Sequence, residues 1–156
     1  MKQKPLFLMI VLLISLVLTG CSVNNASEEN EDDFPPKMNG VIIVNETDFE
    51  MTRGGFHWER KKGLTTEVVT TDAASPLQIA ESYKAIQVKG NETITIKIDE
   101  DPQITLRKWE ENETYEEVSL EKSSFTVPTD KGRYVYEALA NWKNGEISYT
   151  FVIEKE

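Results

Sequence analysis

The stretch "YVYEALANWKNGEISYTFVI", residues 134–153, sets two runs of alternating apolar residues on either side of Asn144-Gly145. Asn-Gly is a strong signal for a two-residue hairpin, because a type I′ turn needs positive φ at both central positions. A turn centred there puts Trp142 opposite Ile147, Ala140 opposite Tyr149, Ala138 opposite Phe151 and Tyr136 opposite Ile153. Each inward pair is apolar, and two of them set a small alanine against a large aromatic ring. A slip of one residue would bring Ser148 and Glu154 onto that face instead, so the pattern names the face to be buried.

The rest of the chain from Met38 onward reads the same way. "GVIIV" (40–44) is a β-branched run, and "TITIKI" (93–98) places Ile94, Ile96 and Ile98 on one face with Thr93, Thr95 and Lys97 on the other, the alternation of a half-buried strand. "TEVVTT" (66–71), "AIQV" (85–88), "QITLRKW" (103–109) and "SFTV" (124–127) are similar, with Gly, Pro, Asn or Asp between them. The single helical signal is "SPLQIAES" (75–82), where Ser75 can cap, Pro76 fits the first helical position and Gln78 stands at the capping-box position. The expectation is an all-β domain with one short helical turn. No repeat of 20 to 50 residues is visible.

Just ahead of the hairpin, "DKGRYVY" (130–136) resembles the D-x-G-x-Y-x-C motif at the start of strand F in immunoglobulin domains, with Asp130, Gly132 and Tyr134 matching. In that family the tyrosine bonds backbone upstream to make a corner. Tyr136 stands where the disulfide cysteine would be, so the resemblance implies an Ig-like β-sandwich without the bridge. Residues from about 34 to 156 also resemble a group of uncharacterised lipoproteins of Gram-positive bacteria. The shared residues are Ser75-Pro76, Gly132-x-Tyr134-x-Tyr136 and Trp142-x-x-Gly145-x-x-x-Tyr149-x-Phe151. That resemblance implies no activity, since these are mostly residues that make a fold.

At the other end, "LISLVLTGCSVNN" (13–25) is an apolar run that stops at Gly-Cys. Lys2 and Lys4 form a positive head, and Leu6 to Leu18 are apolar apart from Ser15; this is shorter than the roughly 20 residues a spanning helix needs. Residues 1–20 therefore read as an export signal. Leu18-Thr19-Gly20 before Cys21 resembles the lipobox of bacterial lipoproteins. The resemblance implies a diacylglycerol thioether on Cys21, which becomes the first mature residue, with acylation of its amine. Two such chains hold a protein on a bilayer where one binds only marginally.

Cys21 is the only cysteine, so its lipidation leaves no disulfide, no thiolate nucleophile and no zinc-binding thiol. The chain carries 17 basic and 27 acidic residues; losing Lys2 and Lys4 with the signal leaves a net charge of −12. A surface of that sign repels nucleic acid and anionic lipid. Between Ser22 and Pro36 there are five acids and no bases, so residues 21–36 read as a lipidated, solvated tether about 20 Å long on average. The folded domain is expected over residues 37–156, long enough to bury a core without disulfides.

Residues able to do chemistry are few. His57 is the only histidine, and with Asp72 and Ser75 it suggests a hydrolytic triad, yet no nucleophile elbow surrounds the serine. His57 reads instead as a strand residue with Phe56 and Trp58 on the opposite side. "DEDP" (99–102) follows a strand end, where sandwich loops sometimes hold calcium, but lacks the alternating Asp/Asn spacing of a calcium loop. "EENETYEE" (110–117) reads as an exposed acidic loop or hairpin. Trp142 and Trp58 are expected in the core. If Ile104 and Leu106 point inward, Trp109 shares the outer face with Gln103, Thr105 and Arg107, and an exposed Trp109 beside Tyr115 is the first candidate for a partner contact. No phosphate loop, dinucleotide fingerprint or metal-spaced motif occurs, and no cofactor is implied.

The sequence thus points to a lipid-anchored, non-catalytic binding domain on the outer face of a bacterial membrane, meeting a protein or a cell-wall component. The alternatives are a hydrolase using carboxylates on strand-end loops and a calcium-binding envelope domain.

Overall fold

The computed structural model describes residues 34–156. Its elements run β1 (Gly40–Val44), β2 (Thr47–Glu50), β3 (Thr52–Lys62), β4 (Thr65–Thr71), α1 (Pro76–Ser82), β5 (Ile86–Val88), β6 (Thr93–Ile98), β7 (Gln103–Trp109), β8 (Tyr115–Val118), β9 (Ser124–Thr126), β10 (Gly132–Trp142) and β11 (Gly145–Lys155). Cys21, the expected signal segment and the acid run up to residue 33 lie outside the described residues. Phe34 opens the compact unit, its ring lying 4.2 Å from the Arg60 guanidinium.

The strands make two sheets. The smaller has the order β2-β1-β6-β9 and the larger β4-β3-β11-β10-β7-β8. Pairing is antiparallel except for β5, which runs parallel to the last residues of β11. The alternation in β6 does what it predicts: Ile94, Ile96 and Ile98 are buried, and Ile96 pairs with Ile42 of β1. Facing them across the sandwich are Tyr136, Ala138 and Ala140 of β10 and Ile147, Tyr149, Phe151 and Ile153 of β11, all within 1 % of full burial. The two alanines leave room for rings: Tyr136 stacks on Phe151 at 5.2 Å, and Phe125 of β9 meets Tyr136 at 5.0 Å. This is an all-β sandwich of the Ig-like type. Its corner is present, with the Tyr134 hydroxyl donating to the Asp130 carbonyl at 2.8 Å.

The terminal hairpin differs from the expected one in register. Trp142 pairs with Gly145, Ala140 with Ile147, Ala138 with Tyr149, Tyr136 with Phe151 and Tyr134 with Ile153. The turn residues are Lys143 and Asn144, neither of which has positive φ. A two-residue slip leaves every side chain on its expected face, because the side-chain period of a strand is also two. Gly145 is needed for packing instead. It lies opposite Trp58 of β3, and a Cβ there would come within 2.5 Å of the Trp58 ring. Trp58 is buried as expected, whereas Trp142 is half-buried at the sandwich end, 5.2 Å from Trp58, and donates its indole N–H to the Asp99 carbonyl.

Left-handed pairs appear elsewhere. Asn45 and Glu46 turn β1 into β2, and Lys122 and Ser123 close the bridge between Glu121 and Ser124. Two short strands, β2 and β8, carry no apolar alternation that would have announced them. The acidic stretch 110–117 forms the turn after β7 and the first residues of β8, held by Lys108, whose Nζ bonds Glu116 at 2.7 Å and Glu110 at 3.2 Å. The bond to Glu116 is the main reason the Lys108 pKa is raised. α1 begins as the sequence requires, with Ser75 and Gln78 forming a reciprocal capping box.

Candidate binding face

β10 is apolar on both faces. Its inward residues build the core, while Val135 and Leu139 point outward with Glu137 between them. A strand apolar on both sides is covered on both sides, and α1 supplies part of the outer cover. Ala80 packs on Val135 of β10 and Val152 of β11, with Leu77, Tyr83, Ala85 and Trp109 around them. Arg133 fixes the helix end, donating from Nη2 to the Ala80 carbonyl at 2.7 Å.

Beyond the start of α1 the outer face opens into a depression of about 560 Å³, walled by the 70–76 segment and floored by β3, β11, β10 and β7. Glu137, 6 % exposed, is among the residues that line it. Its Oε2 accepts the Trp109 indole N–H at 3.1 Å, and its Oε1 accepts the Ser148 hydroxyl at 2.7 Å. Arg107 Nη1 stands 3.6 Å from the same carboxylate. A buried carboxylate is tolerated when cation and donors are arranged around it in this way. The Arg107 guanidinium lies 4.2 Å over the Tyr115 ring, and Tyr115 in turn meets Trp109 at 5.3 Å. Arg107, Trp109 and Tyr115 therefore form one ledge at the rim of the depression.

Trp109 is on the outer face and beside Tyr115, as the alternation of β7 indicates. It is half-buried where an exposed ring is expected, because α1 and its apolar neighbours cover that part of the sheet. Tyr115 is the exposed member, at 46 %. Glu137 escapes a sequence search for sites because a lone glutamate in a strand looks like solvated charge; its outward apolar neighbours Val135 and Leu139 are the signal that this face is covered.

His57, Asp72 and Ser75 all line the same depression, yet they do not form a triad. His57 Nδ1 is 3.1 Å from the Thr70 hydroxyl and Nε2 is 3.0 Å from Glu59 Oε1. The Ser75 hydroxyl is engaged as the helix cap, accepting from the Gln78 N–H. In the loop between β6 and β7, Asp99 Oδ2 accepts from the Asn39 backbone and side-chain nitrogens at 2.9 and 3.0 Å. Glu100 and Asp101 make the turn itself with φ of 60° and 44°. Among the described residues no group of three or more His, Cys, Asp or Glu side chains could hold a metal ion, and no helix is long and apolar enough to cross a membrane.

No protein-family profile, no curated protein and no solved structure matches this chain.

Proposed function

We propose that this protein is a binding module of the bacterial cell envelope, anchored through lipid on Cys21 and facing outward, which meets a protein or cell-wall partner through the ledge of Arg107, Trp109 and Tyr115. The observation that carries this reading is the state of that ledge. Tyr115 presents its ring to solvent, while Trp109 and Arg107 behind it are fixed by Glu137. An aromatic held in place by packing loses little freedom when a partner covers it, which is why such rings dominate contact energies. The depression beside the ledge offers hydroxyl, carboxylate and imidazole groups that are already bonded to one another. These groups add hydrogen-bonding partners for whatever covers the ledge, and the reading is of a binding module.

The test is a cross-linked pull-down of the lipidated protein from its native membrane, compared with Tyr115→Ala and Trp109→Ala. Tyr115→Ala is the cleaner variant, because Trp109→Ala also strips packing from α1. A partner held by the parent and lost by a folded Tyr115→Ala supports the reading. The same partner retained by both variants removes the ledge from the interface. Recovery of Cys21→Ala in the soluble fraction, or with its signal still attached, checks the anchor separately.

A further inference from the structure

Strand edges expose unpaired N–H and C=O groups, and proteins blunt them with short length, charge or proline. Four of the five strands paired on one side only follow that rule. β2 has four residues with Asp48 and Glu50, β8 has four with Glu116 and Glu117, and β5 and β9 have three each. β4 does not. It has seven residues, "TTEVVTT", all β-branched except Glu67, with no lysine, proline or bulge. Its one acid is already taken, bonded by Arg60 Nε at 2.8 Å, and Val68 is 50 % exposed.

The phase of its hydrogen bonds can be followed from the turn. Lys62 pairs with Thr65 across the two-residue loop, and hydrogen-bonded pairs alternate from there. Thr65, Glu67, Val69 and Thr71 thus bond to β3, while Thr66, Val68 and Thr70 turn their backbone groups outward. We propose that β4 is a dimerisation edge, pairing antiparallel with β4 of a second copy about a two-fold axis at Val68. In that register Val68 meets the partner's Val68, and Thr66 meets the partner's Thr70, so all outward groups find partners. Glu67 falls opposite the partner's Val69, so no like charges face each other.

The edge itself favours a copy of this chain: about Val68 the strand reads Thr65-Thr66-Glu67-Val68-Val69-Thr70-Thr71, nearly the same in both directions, so an antiparallel second copy sets threonine against threonine and valine against valine, and Glu67 meets no acid.

The experiment is sedimentation of the full-length protein in detergent micelles over a dilution series, with Val68→Lys and Val68→Glu. The parent is expected to be a dimer that dissociates on dilution. Each variant, with unchanged circular dichroism and melting, should associate roughly tenfold or more weakly because like charges then face each other across the axis. An equimolar mixture of the two should recover a heterodimer. A parent that stays monomeric throughout overturns the proposal, as does a dimer that survives Val68→Lys, since association through the lipid would behave that way.

Discussion

The Trp109 indole donates to the carboxylate of Glu137 across 3.1 Å, from one strand of the large sheet to its neighbour. The same carboxylate holds Ser148 and neighbours Arg107, so one buried group fixes three residues of the outer face. Glu137→Ala leaves an indole N–H, a hydroxyl and a guanidinium without that partner, and should cost about 3 kcal/mol of stability. Glu137→Gln keeps an acceptor and the shape, and should cost about 1 kcal/mol. Urea unfolding of the three proteins checks this; an Ala variant within a few tenths of the parent would show that the cluster does not hold the face together.

The corner bond from Tyr134 to Asp130 is a single neutral hydrogen bond between strand and loop. Tyr134→Phe removes the hydroxyl and leaves the ring, so the expected loss is about 1 kcal/mol. The same unfolding experiment measures it. Equal stability in the Phe variant would mean that the corner is a geometric accident of the loop and does not clamp it.

Asn144 and Gly145 separate two accounts of the terminal hairpin. If the pair formed a left-handed turn, both positions would be sensitive. With the turn at Lys143 and Asn144 in ordinary backbone conformations, Asn144→Ala should change stability by no more than about 0.5 kcal/mol. Gly145→Ala drives a methyl group into the Trp58 ring and the His57 carbonyl, and an overpacked site of this kind costs about 1–3 kcal/mol. Comparable losses at the two positions would restore the turn account.

That hairpin also shows what a reading of residues could and could not reach. Period-two alternation told which side chains of β10 and β11 meet the core, because burial depends only on face. It could not choose between registers two residues apart, since both bury the same set; the contact of Gly145 with Trp58, 87 positions earlier in the chain, decides it. The cap at Ser75, the strand at 93–98 and the tyrosine corner were legible because each rests on local chemistry. β2 and β8 were not, because short edge strands have little apolar content to alternate. At the candidate site, the alternation of β7 was enough to place Trp109 on the outer face, and Tyr115 was set beside it only as a near neighbour in the sequence. Glu137 could not be placed this way, because the groups that surround it, Arg107, Trp109 and Ser148, come from the two neighbouring strands.

Burial also sets the alkaline limit of the fold. Desolvation pushes the Tyr149 hydroxyl up to about 12, with Asp99 adding to the rise and Arg53 opposing it. Tyr136 is raised in the same direction, again chiefly by desolvation. In the unfolded chain a tyrosine ionises near 10. Below that pH both states hold the proton and the full stability is present. Between about 10 and 12 the unfolded chain releases a proton that the folded chain keeps, so stability must fall as pH rises through this window. Tyr149→Phe removes one of these linked ionisations. It should lower stability at neutral pH by about 1 kcal/mol, through loss of the bond from the hydroxyl to the Met38 carbonyl, and it should flatten the alkaline slope. Urea unfolding at stepped pH, followed alongside tyrosinate absorbance, measures both. An unchanged slope in the Phe variant would mean that the Tyr149 hydroxyl ionises alike in the folded and unfolded chains.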